Sequence, residues 1–345
     1  MMYYIFTLKF LTPVHFGDTA DGGFLDKVAI SCGADTLFAA LCQEAALQGQ
    51  ELVEQFIDKI SQRKIVLSSL MPYFCDTQNN EDMHFYLPKP LLTNEMGKKE
   101  LKSFSEVKCL AAQYKKQKNI SFIRASQIKE LVSGYEHGEA AAVACESFAV
   151  PYVSGRAALR EDKPNPYYVG SYVFAANAGL YFICGVNEDE DIDFVENLLL
   201  NLGYSGIGGK RSSGYGKFEL RDDRLEIDEE FYSYDDDEAL AKMLHDEDSN
   251  LQMCIAPLCP LADEIADVKK GTYKLIKRGG FIASPELTEN IKRDSVYMLA
   301  EGSCFAKRLH GQMLEQHVAG VEHGIYRNGL GLFVGLRGEE DAAGK

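Results

Sequence analysis

The segment SGIGGKRSSGYGKF, residues 205–218, constrains the fold of this chain more than any other stretch of its sequence. It places five glycines between Gly206 and Gly216, together with three basic residues and no acidic residue. Glycine adopts backbone conformations that other residues avoid, and it lets the backbone approach a ligand or another segment closely. A helix pattern precedes the segment and a strand pattern follows it, so the sequence predicts a long irregular loop leading from a helix into a sheet.

Two familiar nucleotide-binding loops do not fit this segment. A Walker loop, G-x-x-x-x-G-K-[ST], requires glycine at position 204 and serine or threonine at position 211, where the chain has Tyr204 and Arg211. A dinucleotide-binding loop follows a strand and opens a helix, which is the reverse of the order here. A purely structural role is an open alternative, although tight turns explain only one or two of the five glycines.

The interpretation we favour is that the loop binds the backbone of a nucleic acid. Consecutive amide groups without side chains form a concave site for phosphates, and Arg211 can bind one phosphate through two hydrogen bonds. Tyr215 offers a ring on which a base can stack, worth about 1–3 kcal/mol, as in the recognition of single-stranded RNA. The predicted RNA-binding residues of the loop are Gly206, Gly208, Gly209, Lys210, Arg211, Ser212, Ser213, Gly214, Tyr215 and Gly216.

The charge of the chain is negative overall but segregated along the sequence. The formal net charge is −16, which by itself argues against nucleic-acid binding. Residues 222–238 contain ten acidic residues and one arginine, whereas residues 98–129 contain nine basic and two acidic residues. The stretch 269–280 has five basic residues and no acid. We therefore expect basic surfaces that face a polyanion, and acidic surfaces that face water or a basic partner.

The composition is that of an ordinary globular protein. A chain of 345 residues with 46% apolar residues is long enough for two domains with substantial cores. We see no apolar run long enough to span a membrane, and the alternating N-terminus predicts a strand and not a signal peptide. The nine cysteines are scattered and form no C-x-x-C pair, so we expect reduced thiols in a cytoplasmic protein.

The order of the predicted elements indicates an α+β fold. We expect Asp35 to be the N-cap of the first helix, Gly49 to end it, and Gly203 to end the later helix that precedes the glycine-rich loop. The resulting β-α-β-β-α-β order is that of a ferredoxin-like domain. The predicted elements are a strand in YYIFTLKFLTPVHF, helices in DTLFAALCQEAALQG and ELVEQFIDKI, a strand in KIVLSSLMPYF, a strand–turn–strand unit over 167–186, a helix over 188–203 and a strand in YGKFELRDDRLEI.

The domain boundaries follow from these elements. Residues 1–221 form the predicted N-terminal domain, with an irregular insertion at about 75–145. Residues 222–250 are an acidic connection, and residues 251–345 contain enough strand-like pieces for a second, shorter αβ domain.

Several motifs resemble one protein family. LNLGYSGIGGKRSSGYGKFEL resembles the signature loop of the RAMP superfamily of CRISPR RNA-binding proteins. The motifs LTPVHFGD, GADTLFAAL, GTYKLIKRGGFI and VYMLAEGSCF resemble the Csm subunit of type III-A effector complexes that caps the 5′ end of the CRISPR RNA.

This resemblance implies two ferredoxin-like (RRM-like) domains with an inserted thumb-like hairpin, which we expect within residues 75–145. It implies binding of the 5′ repeat-derived tag of the CRISPR RNA, contacts with the large polymerase-like subunit and with the backbone RAMP subunit, and indirect contact with target RNA. It implies neither catalysis nor a cofactor.

Five residues outside the loop are further RNA-binding candidates. His15 lies in the HFGD motif, and Arg156 and Arg160 are four residues apart, as on one helical turn. Lys277 and Arg278 precede a Gly-Gly pair whose backbone is open to a phosphate.

Other functions are open alternatives. A RAMP-type metal-independent endoribonuclease needs a general acid and a base, for which the candidates are His15, Tyr4, Lys9 and Lys210. A scaffold that never contacts RNA is a third. Asp18 and Asp21 lie in an ordinary acidic glycine-rich loop, and the spacing of His310, His317 and His323 does not suit zinc, so we predict no metal site.

Overall fold

A computed structural model describes the greater part of the chain. The described residues are 1–17, 24–77, 82–92, 103, 105, 108, 115, 120–137, 147–160, 163–282, 291–318, 321 and 323–336. Among them, no helix is both long and apolar enough to cross a membrane. The seven cysteines that fall within these ranges are all free thiols; Cys109 and Cys145 lie outside them.

The main sheet is built from antiparallel strands, and its two faces are covered. Strand β10 (Ala178–Val186) is buried at every position, which requires protein on both sides of the sheet. The strands are β1 (Met2–Phe10), β4 (Ile65–Leu67), β5 (Met71–Asp76), β6 (Asp82–Pro88), β7 (Phe122–Arg124), β10 (Ala178–Val186), β11 (Phe218–Leu220) and β12 (Leu225–Ile227).

In the main sheet, the first strand of the chain, β1, lies between β10 and β11. The sheet runs β11-β1-β10-β5-β6-β7, with β12 also paired to β1 and β4 also paired to β10. One helical connection leads from β1 towards β5 and another from β10 to β11. In each case one other strand lies between the two connected strands, which is the split β-α-β arrangement. The predicted elements occur in the predicted order along the chain, but β6, β7, the helix Ile128–His137 and the strands Ala149–Arg160 and Lys163–Phe174 stand between β5 and β10.

The predicted strand KIVLSSLMPYF is two strands, β4 and β5, separated by three residues. At the break, the backbone N–H of Ser69 donates to Ile255 O at 2.9 Å and that of Leu70 donates to Cys32 O at 3.0 Å. The first bond ties the sheet to the C-terminal part of the chain and the second ties it to the segment before the first helix, and local strand propensity reveals neither.

The packing contacts of the helices that cover the sheet influence where each helix begins and ends. They are α1 (Ala34–Gln48), α2 (Gln50–Ser61), α3 (Ile128–His137), α4 (Asp189–Ser205) and α5 (Asp235–His245). The N-cap of α1 is Gly33, so the prediction that Asp35 caps this helix is wrong; Asp35 is buried in the first turn, and Gly49 ends α1 as predicted. The prediction that Gly203 ends α4 is also wrong. Gly203 is needed inside the helix because a Cβ there would lie 2.6 Å from Phe218 O, and the helix ends at Gly206.

The predicted insertion at 75–145 is drawn too widely. Within it, β6 and β7 belong to the main sheet, and α3 contributes Ile128, Leu131 and Val132 to the core. Much of the remainder, where we expect the thumb-like hairpin, lies outside the described residues.

A long two-stranded ribbon follows instead, made of β8 (Ala149–Arg160) and β9 (Lys163–Phe174). The strand–turn–strand prediction for 167–186 is right about the strands, but β9 pairs with β8 and not with β10. Because Arg156 and Arg160 lie on a strand, their interpretation as one helical turn is wrong.

The acidic stretch 222–250 is more than a connection, since it contains β12 and α5. Asp236 is fully buried and accepts hydrogen bonds from Phe85 N–H at 3.1 Å, Arg124 Nε at 2.7 Å and Ser126 N–H at 2.8 Å. Asp237 accepts from Tyr234 N–H at 2.9 Å and so closes the start of α5. For these two residues the expectation that acids here face water or a basic partner is wrong.

The C-terminal part contains short strands and little helix. It forms a three-stranded sheet in the order β16 (Cys304–Phe305), β13 (Gln252–Cys254) and β19 (Phe333–Gly335). It also forms two hairpins, one of β14 (Leu275–Arg278) and β15 (Val296–Leu299) and one of β17 (Leu314–Gln316) and β18 (Ile325–Arg327). Met253, Ile255 and Val334 extend the main core into it. In the described part of 251–336, helix is limited to a 3-10 turn (Ala262–Glu264) and α6 (Ile265–Val268), so the helix pair of a second ferredoxin-like domain is not among these residues. The two-residue strands β2 (Phe16–Gly17) and β3 (Val28–Ala29) pair beside the ribbon.

Candidate nucleic-acid interface

The glycine-rich loop is anchored at its base by close backbone contacts. Gly206 and Gly216 have φ of +83° and +75°, in the left-handed region that favours glycine. A Cβ on Gly216 would overlap Ile207 O, and one on Gly206 would lie 2.6 Å from Tyr215 O. Ile207 is fully buried and its N–H donates to Gly216 O at 3.0 Å. The structural interpretation thus accounts for both of these glycines, and neither is open to a ligand.

The next two glycines pack against His15. The N–H of Gly209 donates to His15 O at 2.8 Å, and a Cβ on Gly209 would lie 2.6 Å from the His15 ring. A Cβ on Gly208, where φ is +92°, would lie 2.7 Å from His15 O. The His15 ring is buried, and its Nδ1 donates to Gly170 O at 2.8 Å. His15 therefore joins the loop to the β8-β9 ribbon.

The tip of the loop, residues 210–214, is the part least covered by other segments of the protein. Lys210 has φ of +63°, and a single 3-10 turn follows it over Arg211–Ser213. Ser212 and Ser213 are exposed, and a Cβ on Gly214 would meet no atom within 4 Å. Short-range contacts position both cations: Lys210 Nζ lies 5.6 Å from the centre of the Tyr167 ring, and Arg211 donates to Gln43 Oε1.

Tyr215 is not available for stacking on a base. Its side chain is buried, and the Arg156 guanidinium lies 5.3 Å from the ring centre while donating to the phenol oxygen at 3.1 Å. A hydrogen bond from Ser154, together with Arg156, holds the pKa of Tyr215 below its usual value despite burial. The prediction of a stacking platform at Tyr215 is therefore wrong, because a cation from the ribbon already covers the ring.

The ribbon contributes one of its two predicted arginines to this surface. Arg156 also donates to Ser213 Oγ at 3.2 Å, which ties the ribbon to the loop tip. The backbone of Arg160 pairs with Lys163 at the far end of the ribbon, and the side chain of Arg160 is not among the described ones.

A cleft with a volume of about 1030 Å³ lies beside the loop. Gly208, Gly209 and Arg211 line one part of it, and residues 274–280 of the C-terminal part line another. Two basic segments that are far apart in the sequence thus meet at one cleft. Among the described lining residues, two carboxylates, Asp35 and Glu301, face six lysines and arginines: Lys89, Arg211, Lys274, Lys277, Arg278 and Arg293.

The floor of the cleft is a buried network around Asp35, which we call the Asp35 network. Asp35 is 1% exposed and accepts two hydrogen bonds from Arg278 (Nε to Oδ2 at 3.0 Å, and Nη2 to Oδ1) and one from Arg327 Nη1 at 3.2 Å. Burial alone raises the pKa of Asp35, but Arg278, Arg327 and Arg293 together hold it below its usual value. The carboxylate is therefore ionised at neutral pH.

The two predicted RNA-binding residues of β14 have different roles. Lys277 is exposed at the cleft. Arg278 is engaged by Asp35, and this pairing raises the pKa of Arg278 although burial opposes it. Two nitrogens of Arg278 already bind this carboxylate, so RNA binding by Arg278 stays a prediction that only its remaining donor capacity could serve.

The candidate general acids and bases are not brought together. Of the four, only His15 is among the described residues that line the cleft. Tyr4 is buried in β1 beneath Arg224, and Lys9 pairs with Glu219 at 2.9 Å. Among the described residues no cluster of three His, Cys, Asp or Glu could hold a metal ion; Asp18 and Asp21 lie outside these ranges.

The sequence analysis did not identify four residues of the cleft or of its floor: Lys89, Arg293, Arg327 and Asp35. For Asp35, it missed the pairing of the carboxylate with arginines. The basic run 269–280 includes Lys274, which lines the cleft. No local pattern marks the others: Asp35, Lys89 and Arg327 are isolated charges in apolar or mixed stretches, and Arg293 lies in a mixed run between Lys292 and Asp294.

Comparison with known proteins gives consistent matches. The model of the CRISPR Csm4 C-terminal domain matches residues 247–336. The chain is 30% identical over 327 residues to the CRISPR system Cms protein Csm4 of Mycobacterium tuberculosis, covering 93% of this chain and 94% of that protein. It is 26% identical over 339 residues to the protein of the same name from Streptococcus thermophilus, covering 97% and 99%.

The fold is shared with chains of solved complexes. A chain in the crystal structure of a Csm3-Csm4 subcomplex of the type III-A CRISPR-Cas interference complex aligns with a TM-score of 0.61 at 19% identity, covering 98% of this chain and 100% of that one. A chain in a Csm1-Csm4 cassette crystallised with cA4 aligns with a TM-score of 0.59 at 17% identity, covering 98% of both.

Proposed function

Since this chain belongs to the Csm4 family, we propose that it is a non-catalytic RNA-binding subunit of a type III-A CRISPR (Csm) interference complex. In this role it binds the 5′ repeat-derived tag of the CRISPR RNA and bridges the large polymerase-like subunit to the backbone subunits. The observation that carries the proposal is the cleft, where six cations face two carboxylates in a chain of net charge −16.

The cleft suits a single RNA strand that runs from the loop tip to β14. Arg211 lines one end, with Lys210 next to it at the loop tip, and Lys274 and Lys277 line the C-terminal part. Phosphate contacts of this kind supply affinity and fix the register of the strand. A fixed register at the tag is what a subunit needs if the rest of the guide is to be measured from it.

We assign the thumb-like hairpin to the β8-β9 ribbon, which follows the range 75–145 in which the sequence analysis expects it. This element stands apart from the main sheet, and it exposes Val150, Tyr152, Val153 and Tyr168 by more than half. Exposed apolar and aromatic side chains on a projecting ribbon can enter a stack of bases. Arg156 and His15 link this ribbon to the glycine-rich loop, so tag binding and thumb position are coupled.

The proposed partners follow from the solved complexes that share the fold. These complexes are a Csm3-Csm4 subcomplex and a Csm1-Csm4 cassette. We take the corresponding two subunits to be the backbone and large subunits that this chain contacts.

RNA binding as a function of salt tests the proposal. The full chain is titrated into fluorescently labelled tag RNA, and the anisotropy gives the dissociation constant at several salt concentrations. Each phosphate contact to a single strand contributes about 0.7 to the slope of log K against log [salt]. Replacing Lys210 and Arg211 with glutamine should therefore lower the slope by about 1.4 and weaken binding.

The matched control is the pair Lys269→Gln and Lys270→Gln, which removes the same charge from exposed residues that belong neither to the loop tip nor to the cleft lining. Equal slopes for the two double variants would contradict the proposal. Loss of subunit association with intact RNA affinity would support the scaffold alternative. Metal-independent cleavage of repeat RNA that is abolished by His15→Ala would support the endoribonuclease.

A further inference from the structure

The Asp35 network contains more positive charge than it neutralises. Three arginines, Arg278, Arg293 and Arg327, surround one carboxylate in the floor of the cleft. The only other described carboxylate of the cleft, Glu301, accepts a hydrogen bond from Ser69 Oγ at 2.6 Å and also interacts electrostatically with Arg278, so three arginines face two carboxylates. Like charges held together at a buried site favour an additional anion there.

Arg293 is the member of this network without a carboxylate of its own. Arg278 and Arg327 both donate to Asp35, whereas the buried Nε of Arg293 has no hydrogen-bond partner among the described residues. Burial, followed by the charges of Arg327 and Arg278, lowers the pKa of Arg293 to about 10. Arg293 is still a cation at neutral pH, and a buried donor without an acceptor is rare in native proteins.

The backbone beside Arg293 leaves room for a ligand. Gly280 has φ of +127°, and the nearest atoms to a Cβ built there are Arg293 Nε at 3.7 Å and Nη2 at 3.8 Å. A side chain at position 280 would therefore stand against the guanidinium edge that carries the free N–H. Lys274 and Lys277 line the same cleft and add positive charge at its opening.

We propose that the Arg293 guanidinium, in the cleft bordered by Gly279-Gly280, binds one phosphodiester group of the RNA strand. The guanidinium edge presents two parallel N–H donors, Nε and Nη2, which match two phosphate oxygens. This subsite rests on the proposed function and deepens it, since it fixes one linkage of the tag on the C-terminal part of the chain. It is separate from the contacts made by the loop tip.

A linkage scan on the full chain tests the subsite. Each phosphodiester of the tag RNA is replaced in turn by a neutral methylphosphonate, and binding to wild type and to Arg293→Gln is measured. We expect Arg293→Gln to weaken binding by about tenfold and to lower the salt slope by about 0.7. One methylphosphonate should weaken wild type by a similar factor and leave Arg293→Gln unaffected, because the two changes remove the same contact.

Two further variants control this experiment. Lys292→Gln removes a neighbouring exposed charge that is not among the described cleft residues, and it should leave both affinity and the coupling intact. Arg293→Lys keeps the charge but loses the paired donors, so it should restore the salt slope and not the coupling to that linkage. Thermal melts establish that Arg293→Gln is folded, which we expect because the change relieves repulsion within the network.

The outcomes separate the subsite from the proposed function. If wild type binds the tag and Arg293→Gln behaves like Lys292→Gln, or shows no coupling to any linkage, the subsite is wrong while RNA binding stands. If inorganic phosphate displaces the RNA at ionic strengths where chloride does not, and Arg293→Gln abolishes this, the site takes free phosphate and the RNA assignment is overturned. If wild type does not bind the tag at all, the proposed function itself fails.

Discussion

Replacement of Asp35 by asparagine should destabilise the protein far more than a typical change in the first turn of a helix. Asp35 is 1% exposed, and its carboxylate accepts hydrogen bonds from Arg278 and Arg327. Asparagine keeps the shape but removes the charge, so the guanidinium groups are left without an anion. Breaking one side of a buried ion pair costs about 3–5 kcal/mol.

This free energy converts into a measurable shift of the melting temperature. Unfolding entropy is about 2.1 cal/mol/K per residue near 60 °C, so 345 residues correspond to about 0.7 kcal/mol/K. The expected fall in Tm is therefore about 4–7 °C. Because the chain has no tryptophan, circular dichroism is the suitable probe.

The matched control is Glu51→Gln in α2. Glu51 is also the acidic residue in the first turn of its helix, but it is exposed. Loss of an exposed charge at a helix N-terminus costs about 0.3–1 kcal/mol, or roughly 1 °C at most on the same conversion. Equal Tm shifts for the two variants would refute the reasoning, since Asp35 would then act only through the helix dipole.

The pH dependence of the Asp35 effect has a defined sign. The folded pKa of Asp35 is below its unfolded value of about 3.9. Its contribution to stability is therefore complete above the unfolded pKa and is lost as pH falls through the folded pKa. The difference in Tm between wild type and Asp35→Asn should be constant from pH 5 to 7 and shrink below about pH 4.

Two further comparisons test other parts of the structure by thermal or urea unfolding. Gly216→Ala should lower the free energy of unfolding by about 2–5 kcal/mol, because it adds overlap with Ile207 O to the strain of a positive φ. Gly214→Ala, with φ of +83° and open space around the new Cβ, should lower it by about 1–2 kcal/mol. Similar losses for the two variants would show that the loop base is not closely packed. Arg308→Ala should cost about 1.5–3 kcal/mol, since Arg308 donates to Leu244 O at 2.8 Å at the end of α5. The neighbouring Lys307→Ala removes only an exposed ion pair with Asp267 and should destabilise the protein less than Arg308→Ala does, so a larger loss for Lys307 would contradict the assignment.

Elements with strong local patterns could be predicted from the sequence, and their partners could not. The apolar stripes of α1 and α4 and the strand pattern of β1 are local properties, and all three elements form. The break between β4 and β5 depends on hydrogen bonds to residues 32 and 255, which no local window contains. The end of α4 and the bounds of the predicted insertion were misplaced for the same reason. Gly203 packs against Phe218, and β6 pairs with β5 and β7 in the main sheet.

The site shows the same division between local composition and distant partners. The sequence identified the glycine-rich loop and the basic run 269–280, because both are dense local signals. It misjudged Tyr215 and missed the pairing of Arg278, and the availability of these side chains is decided by Arg156, 59 residues away, and by Asp35, 243 residues away. A charge that finds a buried partner is lost to a ligand, and only the fold shows which charges do so.

The pairing of charges also explains how an acidic chain can present a basic cleft. Part of the acidic stretch 222–238 is used inside the protein, where Asp236 binds backbone N–H groups and Arg124. Around Asp35 the balance is reversed, with one carboxylate among three arginines. Net charge therefore sets the long-range field of the protein, whereas affinity for a polyanion depends on where the fold leaves cations without carboxylates. On this argument, raising the salt concentration should weaken RNA binding even though the chain carries a net charge of the same sign as RNA.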